Sequence, residues 1–151
     1  MYARVENDAV VEYPVYQGEI KKRFPNTSFT IPFVPPEGYV TVVDAPTPQV
    51  DHTKDIVEDT PQKIDGTWTR VWSVVDATPE EIAQRTENQA NAVRADRNAR
   101  LAACDWTQLA DSPLDPDAKS AWALYRETLR MIPQQAGFPW DVQWPPEPGT
   151  V

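Results

Sequence analysis

The stretch TPEEIAQRTENQANAVRADRNARLAAC, residues 78–104, decides the fold of the second half of the chain. Thr78 can cap a helix, Pro79 suits the first helical position, and Glu81 completes a capping box. Arginines gather toward the other end, where positive charge is favourable at a helix C-terminus. No further proline interrupts the stretch. It therefore predicts a long helix that ends near Ala103.

The predicted helix has one apolar face made mostly of small side chains. The face consists of Ile82, Ala90, Val93, Leu101 and Cys104. It permits close packing but buries little area, so the helix needs good neighbours. We interpret Arg94, Arg97 and Arg100 as a solvated face that complements the helix dipole and nearby acids. An anion site is the less favoured alternative.

A second helix is predicted after a connecting turn. It begins at Asp115-Pro116-Asp117, an acidic cap with proline at the first helical position, and Pro133 ends it. Its broad apolar face consists of Ala118, Ala121, Trp122, Tyr125, Leu129 and Ile132. We predict that residues 78–132 form an antiparallel helical hairpin, with Trp106 filling its open end. The predicted core consists of Trp106, Trp122, Tyr125 and Leu129.

The tail, residues 133–151, combines prolines with aromatic side chains and cannot fold alone. Its apolar residues are Phe138, Trp140, Val142 and Trp144. Two arrangements are open: the tail wraps the hairpin as an extended strap, or it lies in a groove of a partner.

Residues 1–77 predict a small antiparallel β subdomain with long loops. Strands are predicted over Tyr2–Val5 and Ala9–Tyr13, joined by a turn at Glu6-Asn7-Asp8, and over Tyr39–Val43. Proline-rich stretches must be loops or sheet edges, namely Ile31–Pro36 and Pro46–Pro48.

A second hairpin is predicted around Asp65-Gly66, a strong turn signal. The strand Thr67–Val75 follows the turn, and Ile56–Ile64 is expected to pair with it. Trp68, Trp72 and Val74 share one face of this strand, which Arg70 interrupts. The whole chain is thus predicted to be α+β, with a β subdomain (1–77), a helical hairpin (78–132) and a proline- and tryptophan-rich extended tail (133–151).

Charge and composition restrict the partners. The chain has 23 acidic and 14 basic side chains and a net charge of -9. Nucleic-acid phosphates and anionic lipids repel such a chain, so we expect neither nucleic acid nor membrane as a partner. No apolar run follows Met1, and no stretch has the ~20 apolar residues of a membrane span. We expect the protein in a reducing cytoplasm.

No group of residues predicts catalysis. The one histidine, His52, lies in a proline-rich acidic loop, where a solvated side chain is the favoured interpretation. The one cysteine, Cys104, is interpreted as a small apolar residue on a helix. The five glycines are scattered, and no pair of carboxylates stands out. We therefore predict no catalytic residue, no metal site and no cofactor.

The second half resembles the phage tail assembly chaperone family, also described as tail fibre assembly proteins. The resemblance begins with the basic helix and its RNARL run (97–101), followed by DWTQ (105–108) and DSPL (111–114). It continues with WALYRETLRMIP (122–133) and closes with Phe138-Pro139 and Trp144-Pro145. Together these motifs cover about residues 90–148. Cys104 stands where the family often has threonine, a further reason to give the thiol no role.

The resemblance implies a protein that assists the folding, trimerisation or attachment of a tail fibre by protein–protein binding. The alternative is a permanent structural subunit of the fibre, tail tip or baseplate, which includes a receptor-binding tip. The expected partner is a fibre or other tail protein, with a homo-oligomer or association with a trimeric fibre also open. The expected location is the host cell cytoplasm during assembly, with the virion tail as the alternative. The candidate partner-binding residues are Trp140, Trp144, Phe138, Trp106 and Arg126.

Overall fold

The computed structural model describes residues 1–149 and confirms the predicted α+β class. Within those residues it contains antiparallel β-sheets and three α-helices. The chain divides into two compact units, Met1–Ala77 and Thr78–Val151. The finer division into three parts, with a separate tail, stays a prediction.

The first unit contains five strands and one short helix. In chain order they are β1 (Tyr2–Glu6), β2 (Ala9–Val15), α1 (Gln17–Arg23), β3 (Tyr39–Thr41), β4 (Lys54–Ile64) and β5 (Thr67–Asp76). The second unit contains two long helices, each followed by a short 3₁₀ turn. They are α2 (Pro79–Ala103) with the turn Asp105–Gln108, and α3 (Pro116–Met131) with the turn Ile132–Gln134.

Two tight turns build the hairpins of the first unit. Asn7 and Asp8 have φ angles of 50° and 60°, and β1 pairs with β2 directly across them. Asp65 and Gly66, with φ angles of 49° and 80°, join β4 to β5 in the same way. Positive φ at both central residues matches the twist of the flanking strands. Both predicted hairpins are confirmed.

The strands of the first unit form two sheets. One sheet has the order β2-β1-β3, and the other consists of β4 and β5. Val43, just beyond β3, connects them. Its N–H donates to the carbonyl of Trp68, and its own carbonyl accepts from the N–H of Arg70, both at 2.9 Å. The strand predicted over Tyr39–Val43 therefore pairs with β1 only through Thr41, because Val43 pairs with β5.

Arg70 packs against Trp72 on β5, although its charge was expected to interrupt the apolar face of this strand. Its guanidinium donates to both carboxylate oxygens of Glu58, at 2.8 and 2.6 Å. Its guanidinium carbon lies 4.7 Å from the centre of the Trp72 ring. A cation over an indole face is attracted by the ring quadrupole, so the charged group packs where an apolar one was expected.

The same cluster shifts two ionisations. Hydrogen bonds from Arg70, and then from the Tyr13 hydroxyl, lower the pKa of Glu58 below its ordinary value. Burial, and then the hydrogen bond to Glu58, raise the pKa of Tyr13 from 10.0 to about 12.

Helix α1 was not predicted from the sequence. The helix has seven residues, and the carboxylate of Glu19 accepts a hydrogen bond from the N–H of Tyr16 at its start. Ile20 is its buried residue, and Arg23 donates twice to the carboxylate of Glu12, at 2.6 Å each. So short a helix shows too few turns for an apolar period. The available signal was the order of its charges, acid first and basic residues last.

The predicted starts of both long helices are confirmed. The hydroxyl of Thr78 accepts from the N–H of Glu81 at 3.2 Å, and the Glu81 carboxylate accepts from the N–H of Thr78 at 2.9 Å. At the start of α3, the carboxylate of Asp115 accepts from the N–H of Ala118 at 2.8 Å. The α-helical part of α3 ends at Met131, and Pro133 lies in the 3₁₀ turn that follows.

The second unit has one central buried cluster. Its members are Cys104, Trp122, Tyr125 and Leu129, and Leu101, Leu114 and Trp144 pack against it. Cys104 is a free, buried thiol on this cluster, as interpreted from the sequence.

Trp106 is not part of the core, contrary to the prediction. Its side chain is 40% exposed, and its ring lies edge-on to Trp122 with 6.2 Å between the ring centres. Thr107 occupies the buried position in this turn, and its hydroxyl donates to the carbonyl of Cys104 at 2.7 Å. The 3₁₀ turn changes the side-chain direction from one residue to the next, so residue type alone did not identify the inward position.

Candidate protein-binding surface

The end of α2 is fixed to α3 by one buried arginine. Arg126 is 8% exposed, and its Nη1 donates to the carbonyl of Leu101 at 2.7 Å. Its Nη2 donates to the carboxylate of Asp105, also at 2.7 Å. The last carbonyls of a helix lack partners within the helix, and a cation there also complements the helix dipole. Arg126 thus caps α2 from the neighbouring helix.

The tail is attached to α2 by two aromatic contacts. The guanidinium carbon of Arg100 lies 4.4 Å from the centre of the Trp144 ring. That of Arg94 lies 5.5 Å from the centre of the Phe138 ring. Both are cation–π contacts, which contribute about 0.5–2 kcal/mol each depending on burial. Arg94, Arg97 and Arg100 were predicted to form a solvated face. This prediction is corrected, because Arg94 and Arg100 contact aromatic rings of the tail.

A side-chain amide closes a loop in the tail, residues 135–143. The Gln135 side chain accepts from the N–H of Gln143 and donates to its carbonyl, both at 2.8 Å. The amide thereby takes both backbone bonds of one residue, as a neighbouring strand would. Gly137 lies within the loop, where an added Cβ would stand 2.3 Å from the carbonyl oxygen of Asp141. Only glycine fits this close approach.

A groove lies between α3 and the prolines near the end of the tail. Its volume is about 360 Å³. The lining residues are Ala121, Leu124, Tyr125 and Thr128 from α3 and Pro145, Pro146, Glu147 and Pro148 from the tail. Below it is called the α3 groove, and residues 145–148 are called the proline segment. Leu124, a large aliphatic residue of this lining, is 65% exposed.

The apolar face predicted for α3 includes residues that are not buried. Trp122, Tyr125 and Leu129 point into the core, whereas Ala121 is exposed and lines the groove. Other large apolar side chains also remain exposed on the second unit, among them Leu109 at 58% and Trp140 at 42%. Large exposed apolar side chains such as these are candidates for contact with another molecule.

The five residues predicted to bind a partner occupy two kinds of position. Trp106 and Trp140 are substantially exposed. Phe138, Trp144 and Arg126 instead make the internal contacts described above, to Arg94, to Arg100 and the core cluster, and to the end of α2. The role of all five residues in binding stays a prediction.

Sequence analysis missed Leu124 and Thr128 as surface residues. Leu124 lies in the helix between Trp122 and Tyr125, where an apolar residue attracts no notice beside two aromatic core residues. The available signal was the helical spacing of Ala121, Leu124 and Thr128, which places them on a second face.

The one histidine and the one cysteine of the sequence lie in different units. Within residues 1–149, no group of three His, Cys, Asp or Glu side chains could hold a metal ion. Cys104 is buried and its thiol donates to the carbonyl of Leu101 at 3.3 Å. His52 is half-buried beside β4 and has interactions of its own. In the same part of the chain, every helix is too short or too polar to cross a membrane.

Comparison with known protein families identifies the region that contains this surface. The family model described as phage tail assembly chaperone protein matches residues 90–149. The resemblance inferred from the motifs of residues 90–148 is thereby confirmed. The match includes the end of α2, all of α3, the groove and the attached tail. No curated protein and no solved structure matches the chain significantly.

Proposed function

We propose that this chain, whose residues 90–149 match the family model described as phage tail assembly chaperone protein, is a tail fibre assembly protein. It binds a fibre or another tail protein and assists its folding, trimerisation or attachment, without catalysis. It acts in the host cell cytoplasm while tails are assembled.

The observation that carries this proposal is the apolar surface of the family-matched region. The region has its own buried core, and it still exposes large apolar side chains such as Leu124, Leu109 and Trp140. Water disfavours such exposure, and a partner that covers these side chains would recover the hydrophobic free energy. A binding function explains this arrangement.

We assign two different roles to the five residues predicted to bind a partner. Trp106 and Trp140 contact the partner, since large partly exposed aromatics dominate binding energy when an interface covers them. Arg126, Phe138 and Trp144 act indirectly, because they hold α2, α3 and the tail as one antiparallel hairpin with an attached strap.

The physical need for such a helper comes from the fibre. Phage fibres are β-rich trimers whose distant strand pairings form slowly and leave unpaired edges exposed. A bound helper would cover those edges until the trimer closes, and so suppress aggregation. The acidic chain, with a net charge of -9, is unsuited to nucleic acid or anionic membrane as an alternative partner.

Co-expression tests the proposal. The fibre protein is produced with the intact chain, with a Trp106→Ala, Trp140→Ala double variant, and alone. We expect soluble trimer with the intact chain, less with the variant and mainly aggregate without either. A fibre that trimerises equally well in all three cultures would show that the chain does not assist it.

Mass spectrometry of purified virions separates assistance from permanent residence. A helper that leaves on completion is absent or far below the fibre in copy number. Stoichiometric presence would instead identify a structural subunit of the fibre, tip or baseplate. Binding of the isolated chain to host cells would place that subunit at the receptor-binding end.

A further inference from the structure

We infer that the α3 groove is part of the partner-binding surface, in addition to Trp106 and Trp140, and that it takes an extended tail-protein segment with an apolar side chain flanked by positive charge. The inference rests on the proposed function and gives it a location and a ligand chemistry.

The helix wall of the groove offers an apolar surface with few competing polar groups. Leu124 and Ala121 are exposed on it, and Met131 continues the same face one to two turns further along. The hydroxyl of Thr128 donates to the Leu124 carbonyl at 2.9 Å and is therefore satisfied inside the helix. The wall thus favours an aliphatic or aromatic side chain over a polar one.

The opposite wall, the proline segment, has the same preference. Pro145, Pro146 and Pro148 have no N–H to donate, and their rings are flat apolar surfaces. The groove volume of about 360 Å³ lies at the lower end of the roughly 300–1,000 Å³ found for binding pockets. It suits one large side chain with part of its backbone rather than a whole folded element.

Arg100 interacts with Tyr125, but its charge is paired with Asp96, and the charged residues on the two walls of the groove are acidic. Glu147 lines it, Asp117 precedes Ala121 by four residues, and Glu127 follows Leu124 by three. Residues at these spacings share a helix face. The basic side chains of α3, Lys119, Arg126 and Arg130, are at neither spacing from any groove residue. A segment with Lys or Arg beside its apolar side chain is therefore the complementary ligand.

The groove depends on the attachment of the tail. One of its walls is the proline segment, which directly follows Trp144. Trp144 is held by the guanidinium of Arg100 and by the core cluster. The binding surface is therefore composite, with a rigid helix on one side and a positioned tail on the other, and it needs no change of fold to form.

Peptide binding tests the location. Overlapping synthetic peptides that cover the tail fibre protein are measured against the full chain. We expect the bound peptides to carry an apolar or aromatic residue next to Lys or Arg. Leu124→Glu should weaken their binding about tenfold or more, as for a central interface residue. Ile31→Glu, the same kind of change at a fully exposed aliphatic residue of the first unit that does not line the groove, should leave the affinity unchanged.

A charge exchange tests the ligand chemistry. Glu147→Lys should weaken the binding of basic peptides, whereas Asp111→Lys, the same charge change outside the groove lining, should not. Replacing Lys or Arg of the peptide by Glu should restore binding to the Glu147→Lys variant. A variant that had merely lost its structure could not regain affinity in this way.

The outcomes distinguish the inference from the proposed function. If the intact fibre protein binds the Leu124→Glu and Glu147→Lys variants as tightly as the wild type, the groove is not part of the partner-binding surface, while the binding function stands. If the wild-type chain binds no tail protein at all, the proposed function fails and the inference fails with it.

Discussion

Arg126 of α3 donates a hydrogen bond to the backbone carbonyl of Leu101 in the last turn of α2, with 2.7 Å between Nη1 and the oxygen. The same side chain pairs with Asp105, just beyond the helix. One arginine therefore joins the end of α2, the start of the following turn and the middle of α3.

Arg126→Met should destabilise the second unit. The substitution removes the guanidinium hydrogen bond to the Leu101 carbonyl, and a hydrogen bond from a charged group contributes about 1.5–3 kcal/mol. The free energy of unfolding, from chemical denaturation followed by circular dichroism, measures the loss. Arg130→Met, an exposed change in the last turn of the same helix, is the control and should cost less than about 0.5 kcal/mol. Equal losses for the two variants would refute a capping role for Arg126.

Trp144→Ala should cost more stability than Trp140→Ala. Trp144 packs against the core cluster and the Arg100 guanidinium, whereas Trp140 is 42% exposed. Replacing a fully buried Trp by Ala lowers the free energy of unfolding by about 3–5 kcal/mol. Because Trp144 is half-buried, we expect a loss of roughly 2 kcal/mol. Thermal unfolding of both variants provides the comparison. Limited proteolysis should show earlier cleavage of the tail in Trp144→Ala alone.

Two glycines of the first unit should respond to alanine in opposite directions. Gly66→Ala places a side chain at a φ of +80°, which costs roughly 1–2 kcal/mol. Gly18 lies in α1 with no atom within 4 Å of an added Cβ, so Gly18→Ala should stabilise by about 0.5–1 kcal/mol. Denaturation midpoints measured on the full chain should move apart. A stabilising Gly66→Ala would contradict the turn geometry.

Glu58 should make the first unit sensitive to acid. Arg70 and Tyr13 lower its folded-state pKa, so the unfolded state binds the proton first as the pH falls. The stabilisation is complete above the ordinary pKa of 4.5 and is lost as the pH falls from there through the lowered folded pKa. Stability of the wild type and of Glu58→Gln, measured between neutral and acid pH, should show a smaller pH dependence in the variant.

Tyr13 should make the stability of the first unit depend on pH in the alkaline range. Its pKa is raised from 10.0 to about 12, so the unfolded state loses its proton before the folded one. This contribution to stability is complete below pH 10.0 and is lost as the pH rises toward about 12. An ultraviolet titration of phenolate should lose its component near pH 12 in Tyr13→Phe. If that component persists in the variant, it belongs to another tyrosine.

Local signals in the sequence were sufficient for the elements with strong boundaries. The turn residues Asp65-Gly66 and the caps at Thr78 and Asp115 act over a few residues, so composition and order specify them directly. The short α1 was missed because a seven-residue helix offers little periodicity.

Contacts between distant residues could not be predicted in the same way. The pairing of Arg100 with Trp144 and of Arg94 with Phe138 depends on how the tail returns to α2, which no local pattern encodes. The exposure of Trp106 and the second face of α3 at Leu124 likewise depend on packing in three dimensions. The motifs therefore identified the family-matched region, while the division into core and surface residues required the structure.

Two arginines of α2 contact two aromatic rings of the tail. We expect α2 and the tail to differ in how well they tolerate an inserted residue. Arg94 and Arg100 are six residues apart, and so are Phe138 and Trp144. Six residues of a helix rise only about 9 Å, whereas six residues of an extended chain span up to about 20 Å. The surplus is folded into the loop that Gln135 closes. An inserted residue there only enlarges a loop, whereas one inserted between the arginines rotates the second by about 100° away from its ring. Natural insertions in relatives should therefore accumulate in the tail loop and be excluded from this part of α2.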